Sequence, residues 1–137
     1  IDFQPFDSPG GENYGWDTLE GTHCYEPATG CTTPPDYAAP VYEYSHILGS
    51  SVTGGYVYRG STYTNMQGIY FFSDYGSGRF WGLQYDAGAW VPNLYTENVS
   101  RHVSSFGEDE AGELYFTTVD YGDVAGRLYR LGSSPAP

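Results

Sequence analysis

Ile69-Tyr70-Phe71-Phe72-Ser73-Asp74-Tyr75-Gly76-Ser77-Gly78-Arg79-Phe80-Trp81-Gly82-Leu83 is written twice in this chain. It returns as Leu114-Tyr115-Phe116-Thr117-Thr118-Val119-Asp120-Tyr121-Gly122 and then Gly126-Arg127-Leu128-Tyr129-Arg130-Leu131, displaced by 45 residues in the first run and 48 in the second. Each copy is a pair of aromatic-rich runs around a Gly-rich turn, the pattern of a β-hairpin. Strand-and-turn repeats of this period mark β-propeller blades. A single blade leaves both of its sheet faces uncovered, so it needs neighbours. The chain therefore reads as all-β: about two blades of a propeller, open unless other chain segments or partners complete it.

Composition agrees. Aromatic residues make up 18% of the chain and Tyr alone numbers 15; these side chains favour half-buried pleated surfaces. No stretch longer than a turn has helical periodicity. The net charge is −12 and every basic residue is Arg. Such a chain is repelled by phosphate backbones and anionic lipid, which argues against nucleic acid and membrane as partners. Its carboxylates suit calcium, and they equally suit a surface that is merely soluble. No apolar run approaches the ~20 residues that span a bilayer.

Cys24 and Cys31 enclose a short loop rich in Pro, Gly and Thr. Their number and spacing do not match a four-ligand zinc site. A Cys24–Cys31 disulfide fits better and places the protein outside the cytoplasm, extracellular or periplasmic. Reduced thiols, or a thiol-bound metal beside His23, are the alternatives. The start at Ile1-Asp2-Phe3 reads as mid-strand, the mark of processing or of a fragment.

Along the chain, residues 1–6 read as the trailing strand of a preceding blade. Residues 7–52 form a long loop holding both cysteines, with Val41–His46 a short strand or approach segment. Residues 53–100 make a blade, with strands near 53–60, 68–73, 79–84 and 90–95. Pro92 suits the edge position of the last of these. Residues 101–131 make a last, incomplete blade with strands near 103–107, 113–118 and 127–131. Residues 132–137 are a linker.

Four strings carry a resemblance: Gly11-Glu12-Asn13-Tyr14-Gly15-Trp16, Ser51-Val52-Thr53-Gly54-Gly55-Tyr56-Val57-Tyr58-Arg59-Gly60, Ser73-Asp74-Tyr75-Gly76-Ser77-Gly78-Arg79, and Phe106-Gly107-Glu108-Asp109-Glu110-Ala111-Gly112-Glu113-Leu114-Tyr115. Together they resemble the C-terminal third of the glucose/sorbosone dehydrogenase family, and they are also similar to the propeller of hedgehog-interacting protein, a non-catalytic member. The resemblance implies a six-bladed propeller. For the enzymes it implies pyrroloquinoline quinone (PQQ) and calcium, with a sugar C1 hydroxyl oxidised by hydride transfer to the quinone. The general base and the carbonyls that hold the cofactor's calcium would lie upstream of Ile1. This chain alone would not be catalytic.

The resemblance assigns four positions here. Tyr44 and His46 precede the Gly49–Gly55 segment, where the enzymes place aromatics over the quinone. His46 is then a polar contact or proton carrier, or else a histidine hydrogen-bonded in a loop. Arg101 matches a cofactor-carboxylate arginine, or else makes an ion pair between blades. Tyr14 matches a backbone carbonyl that binds a structural calcium, with Glu12 or Asp17 as substitute ligands, or else belongs to a capped turn. Two departures count against the quinone: the chain has no Lys where the enzymes have one at the Tyr75-Gly76-Ser77 turn, and Val103 stands where a second Arg is expected.

Asp74, Arg79, Asp120 and Arg127 recur in both units, which marks them as architectural, with the Asp bonding nearby backbone N–H groups. Glu108, Asp109, Glu110 and Glu113 crowd one turn without the spacing of a calcium loop, so a solvated acidic turn is expected. Asn98-Val99-Ser100 is a glycosylation sequon. Three functions follow. The chain is a fragment of a secreted quinoprotein sugar dehydrogenase, a non-catalytic propeller that binds protein or glycan, or a structural subunit that assembles through its blade faces. Its partners would be the remaining blades or other chains covering those faces, and a sugar.

Overall fold

The computed structural model describes residues 1–99, 101–119 and 125–132. The chain divides into two units, Ile1–Glu43 and Tyr44–Pro137. The sequon's Ser100 and the repeated Asp120 lie outside the described residues.

The first unit is mostly irregular. Two short strands, β1 (Leu19–Glu20) and β2 (His23–Cys24), make a hairpin. Cys24 and Cys31 are disulfide-bonded, with Cα atoms 5.6 Å apart. The Tyr37 hydroxyl donates to the Gly21 carbonyl at 2.6 Å, and Leu19 is buried beneath the hairpin loop. Residues 1–6 form no strand. The Ile1 carbonyl accepts from Val41 and Tyr42, but Pro5 has no N–H and its carbonyl closes a turn to Ser8. Val41–His46 likewise forms no strand.

The second unit holds two antiparallel sheets. Strands β3 (Val52–Val57), β4 (Tyr70–Asp74), β5 (Phe80–Asp86) and β6 (Ala89–Thr96) follow one another in a four-stranded sheet. Strands β7 (His102–Glu108), β8 (Leu114–Val119) and β9 (Arg127–Arg130) make a three-stranded one. The described residues contain no α-helix, only a 3-10 turn at Thr64–Met66. Pro92 lies on the outermost strand, where no ladder bond needs its missing N–H.

Pairing registers refine the repeat. Trp81 pairs with Phe72, and its counterpart Tyr129 pairs with Phe116. The two pairs stack alike, at 5.3 Å and 11° in one sheet and 5.1 Å and 15° in the other. Leu83 pairs with Tyr70, while Leu131 bonds to the Leu114 carbonyl. The displacement is therefore 44 residues from β4 to β8, not 45. One residue of slip exchanges the two faces of a strand. The aromatic run Tyr70-Phe71-Phe72 permits either alignment, and only the pairing decides.

The core sits between the two sheets. Ile69, Phe71 and Phe80 of the first meet Val103 and Leu114 of the second, with Tyr58 and Met66 below them. The Phe80 ring lies 5.6 Å from Phe106 and 5.5 Å from Phe116. Face-to-face burial of successive sheets is how propeller blades cover one another.

Candidate functional site

A polar corner forms where β4 turns into β5. Asp74 is fully buried there. Its Oδ2 accepts from the Ser51 N–H at 2.7 Å and the Tyr44 hydroxyl at 2.9 Å. Its Oδ1 accepts from the Ser77 N–H at 2.7 Å. Burial pushes this carboxyl up, but the donors outweigh it and hold the group below the ordinary aspartate value. Gly49 leaves the room: a Cβ at that position would stand 2.3 Å from Asp74 Cγ. The expectation that the turn aspartate bonds neighbouring N–H groups is met at Asp74. Its register counterpart on β8 is Thr118, whose buried hydroxyl finds no partner among the described residues.

Three of the sequence candidates flank this corner. Tyr44 is committed twice, its hydroxyl to Asp74 and its ring stacked on Trp81 at 4.8 Å. His46 is exposed in a turn closed by Leu48 N–H to the Ser45 carbonyl at 2.8 Å. Arg101 brings its backbone carbonyl against the turn at Gly78, 3.4 Å from where a Cβ would stand. Its neighbour His102, which the sequence did not single out, has Nδ1 2.5 Å from the Tyr75 carbonyl and its ring 4.9 Å from that of Tyr75. A carbonyl only accepts, so His102 Nδ1 carries a proton. Arg79 braces the same turn through Glu97 at 2.8 Å and the Leu48 carbonyl.

Tyr14 belongs to the other unit. Glu12, its substitute ligand, already accepts from Ser8 and from Gln4. Among the described residues no three His, Cys, Asp or Glu side chains gather as a metal group.

A second node ties the sheets together at Glu113. This residue is buried and not the solvated turn expected for it. It accepts from Tyr58 at 2.8 Å and the Thr62 N–H at 3.0 Å, and it pairs with Arg130 at 3.1 Å. Bonds from Thr62, then Tyr58 and Arg130, outweigh burial and hold the carboxyl at about 2. Asp109 ties down the rest of the acidic turn by accepting the N–H groups of Ala111 and Glu113, both at 2.9 Å. Gly60 leaves the room for Glu113: a Cβ there would come within 2.6 Å of Glu113 Oε1.

The quinone and calcium implied by resemblance do not fit these residues alone. Tyr44 has neither its hydroxyl nor one ring face to offer, and Val103, in place of the second arginine, is a fully buried core residue. The chain has no lysine to replace those cations.

Sheets of this kind, packed face to face in sequence order, define a class: part of a β-propeller. Solved structures similar to it include sugar dehydrogenases. A glucose dehydrogenase matches with TM-score 0.67 and 17% identity, over 90% of this chain and 35% of that one. A second glucose dehydrogenase structure matches at 0.65 and 19%, over 90% and 36%. The soluble aldose sugar dehydrogenase of Escherichia coli in its apo-form matches at 0.64 and 16%, over 88% and 35%. Among curated proteins, the HIPL1 protein of Arabidopsis thaliana is 29% identical over 140 residues, covering 79% of this chain and 20% of that protein. No family model matches. The chain thus spans about a fifth of its curated relative and about a third of the solved chains. The fold read from the sequence, a portion of a sugar-dehydrogenase-like propeller, is the fold observed.

Proposed function

We propose that this chain is a two-sheet sector of a secreted, sugar-dehydrogenase-like propeller. In the intact protein PQQ, held by residues outside this sector, would supply the hydride acceptor for oxidation of a sugar C1 hydroxyl. The general base and most cofactor contacts come from outside these residues. The observation that carries this reading is the fold, two face-packed sheets similar to glucose and aldose sugar dehydrogenases over about nine-tenths of this chain. The sector's own part is to hold the rim at Tyr44 rigid through Asp74. Its remaining faces pack on further blades. The disulfide supports an extracellular or periplasmic site. No described helix is long and apolar enough to cross a membrane.

Titrating the intact protein with PQQ and calcium, then adding an aldose and a redox dye, tests this. Quinone-dependent dye reduction is expected. Its absence leaves the second reading, a non-catalytic propeller that binds protein or glycan. That reading is favoured by the buried Val103 and the committed Tyr44.

A further inference from the structure

The disulfide-bearing unit turns a pair of aromatic rings to solvent. Trp16 is 68% exposed and Tyr25 is 46% exposed, and their ring centroids lie 4.7 Å apart at 31°. The backbone beneath them is pinned. The Gly15 N–H donates to Asn13 Oδ1 at 2.9 Å, and the Leu19 N–H donates to the Gly15 carbonyl at 2.8 Å. Next to the β1–β2 pairing, the Tyr25 N–H donates to the Thr18 carbonyl and the Glu26 N–H to the Asp17 carbonyl. The Cys24–Cys31 bond closes the loop that follows. A large ring left in water on ordered backbone forgoes the burial it would otherwise gain. Exposed Trp and Tyr held in this way are the residue types that anchor interfaces.

Charge selects what they anchor. Residues 1–43 contain eight Asp and Glu and neither Lys nor Arg, since all five arginines come later in the chain. Asp17 follows Trp16 and Glu26 follows Tyr25, and both are exposed. No hydrogen bond or ion pair engages either carboxylate among the described residues. An anionic partner is repelled by this unit. A neutral sugar uses the rings and is indifferent to the carboxylates. A cation is drawn by both, because ring faces and carboxylates each attract it.

We infer that the Trp16–Tyr25 pair docks a basic segment of a partner protein, with Arg or Lys heads against the rings and the carboxylates of Asp17 and Glu26. This goes beyond the sugar-oxidising reading and needs neither quinone nor calcium. The acidic unit speeds the encounter, and the rings set how long the partner stays.

Calorimetric titration of the intact protein with a hexa-arginine peptide tests the surface. Binding is expected, and it should weaken as salt is raised. Trp16→Ala should lower the affinity about tenfold, the loss of one desolvated cation–ring contact. Asp17→Asn combined with Glu26→Gln should lower it by a similar factor. Glu108→Gln combined with Glu110→Gln removes the same charge from exposed positions in the other unit, and should change affinity less than about twofold. Equal losses from the two carboxylate pairs overturn the inference, because they show diffuse attraction by net charge. So does a Trp16→Ala variant that binds as tightly as the natural chain, or a natural chain that does not bind the peptide. Displacement of the peptide by maltotriose also overturns it and assigns the rings to a neutral glycan. Dye reduction is not the readout, so failure of the catalytic reading leaves this result standing.

Discussion

Asp74 and Glu113 are carboxylates placed where water does not reach, and each is satisfied by donors from more than one segment. At Asp74 three donors converge on two oxygens. An amide in its place turns an NH2 group toward at least one of them. Asp74→Asn should therefore cost about 2–4 kcal/mol in urea unfolding. Glu113 titrates at about 2 in the folded chain against an ordinary value of 4.5. The unfolded chain takes up its proton first, so this stabilisation is whole above about pH 5 and is lost as pH falls toward 2. Unfolding free energy should fall more steeply over that range in the natural chain than in Glu113→Gln, followed by denaturant melts at successive pH values. The structural role of Asp74 was legible because turn aspartates bond local N–H groups. Glu113 was not, because its partners Tyr58 and Thr62 lie more than fifty residues away, and nothing local announces them.

Strand β3 bulges between Thr53 and Tyr56 as it passes β4. Gly55 sits in that bulge, and a Cβ there would fall 1.8 Å from the Phe71 carbonyl oxygen. At Gly107 on β7 a Cβ meets nothing within 4 Å. Gly55→Ala should cost at least about 3 kcal/mol, the upper end of ordinary overpacking. Gly107→Ala should stay within about 0.5 kcal/mol. Thermal melts of the two variants make the comparison. All seven strands of the larger unit were legible to within a few residues, because aromatic runs alternate with Gly and Asp turns. Their facing was not. Similarity of strings matched Ile69-Tyr70-Phe71 to Leu114-Tyr115-Phe116, whereas backbone pairing matches Phe72 to Phe116. Residues 1–6 look extended in sequence, yet strand formation depends on a partner edge that local pattern does not contain.

The larger unit is held by rings shared between its sheets. Phe80 touches Phe71 on its own sheet at 6.2 Å and reaches Phe106 and Phe116 on the other. Phe80→Ala should cost about 3–5 kcal/mol. Both sheets lose the same contact, so they should melt in one transition by circular dichroism. Leu94→Ala, on the half-exposed outer strand, should cost less than about 1 kcal/mol. The propeller assignment was legible from repetition alone, and the arrangement of Tyr44, His46 and Arg101 around one turn was not. That arrangement depends on how the Ser45–Gly49 turn and the start of β7 fold back on the Asp74 corner.

Trp81 is buried between the rings of Tyr44 and Phe72, whereas Trp16 in the disulfide-bearing unit is 68% exposed. The third tryptophan, Trp90 on β6, is half-buried, so the three indoles sit in unlike surroundings. A dissolved quencher such as acrylamide reaches Trp16 and is screened from Trp81. With Trp90 replaced by Phe, the emission that survives quenching reports on the Trp81 stack beside the Asp74 corner, so opening of that rim can be watched by light without attaching a dye.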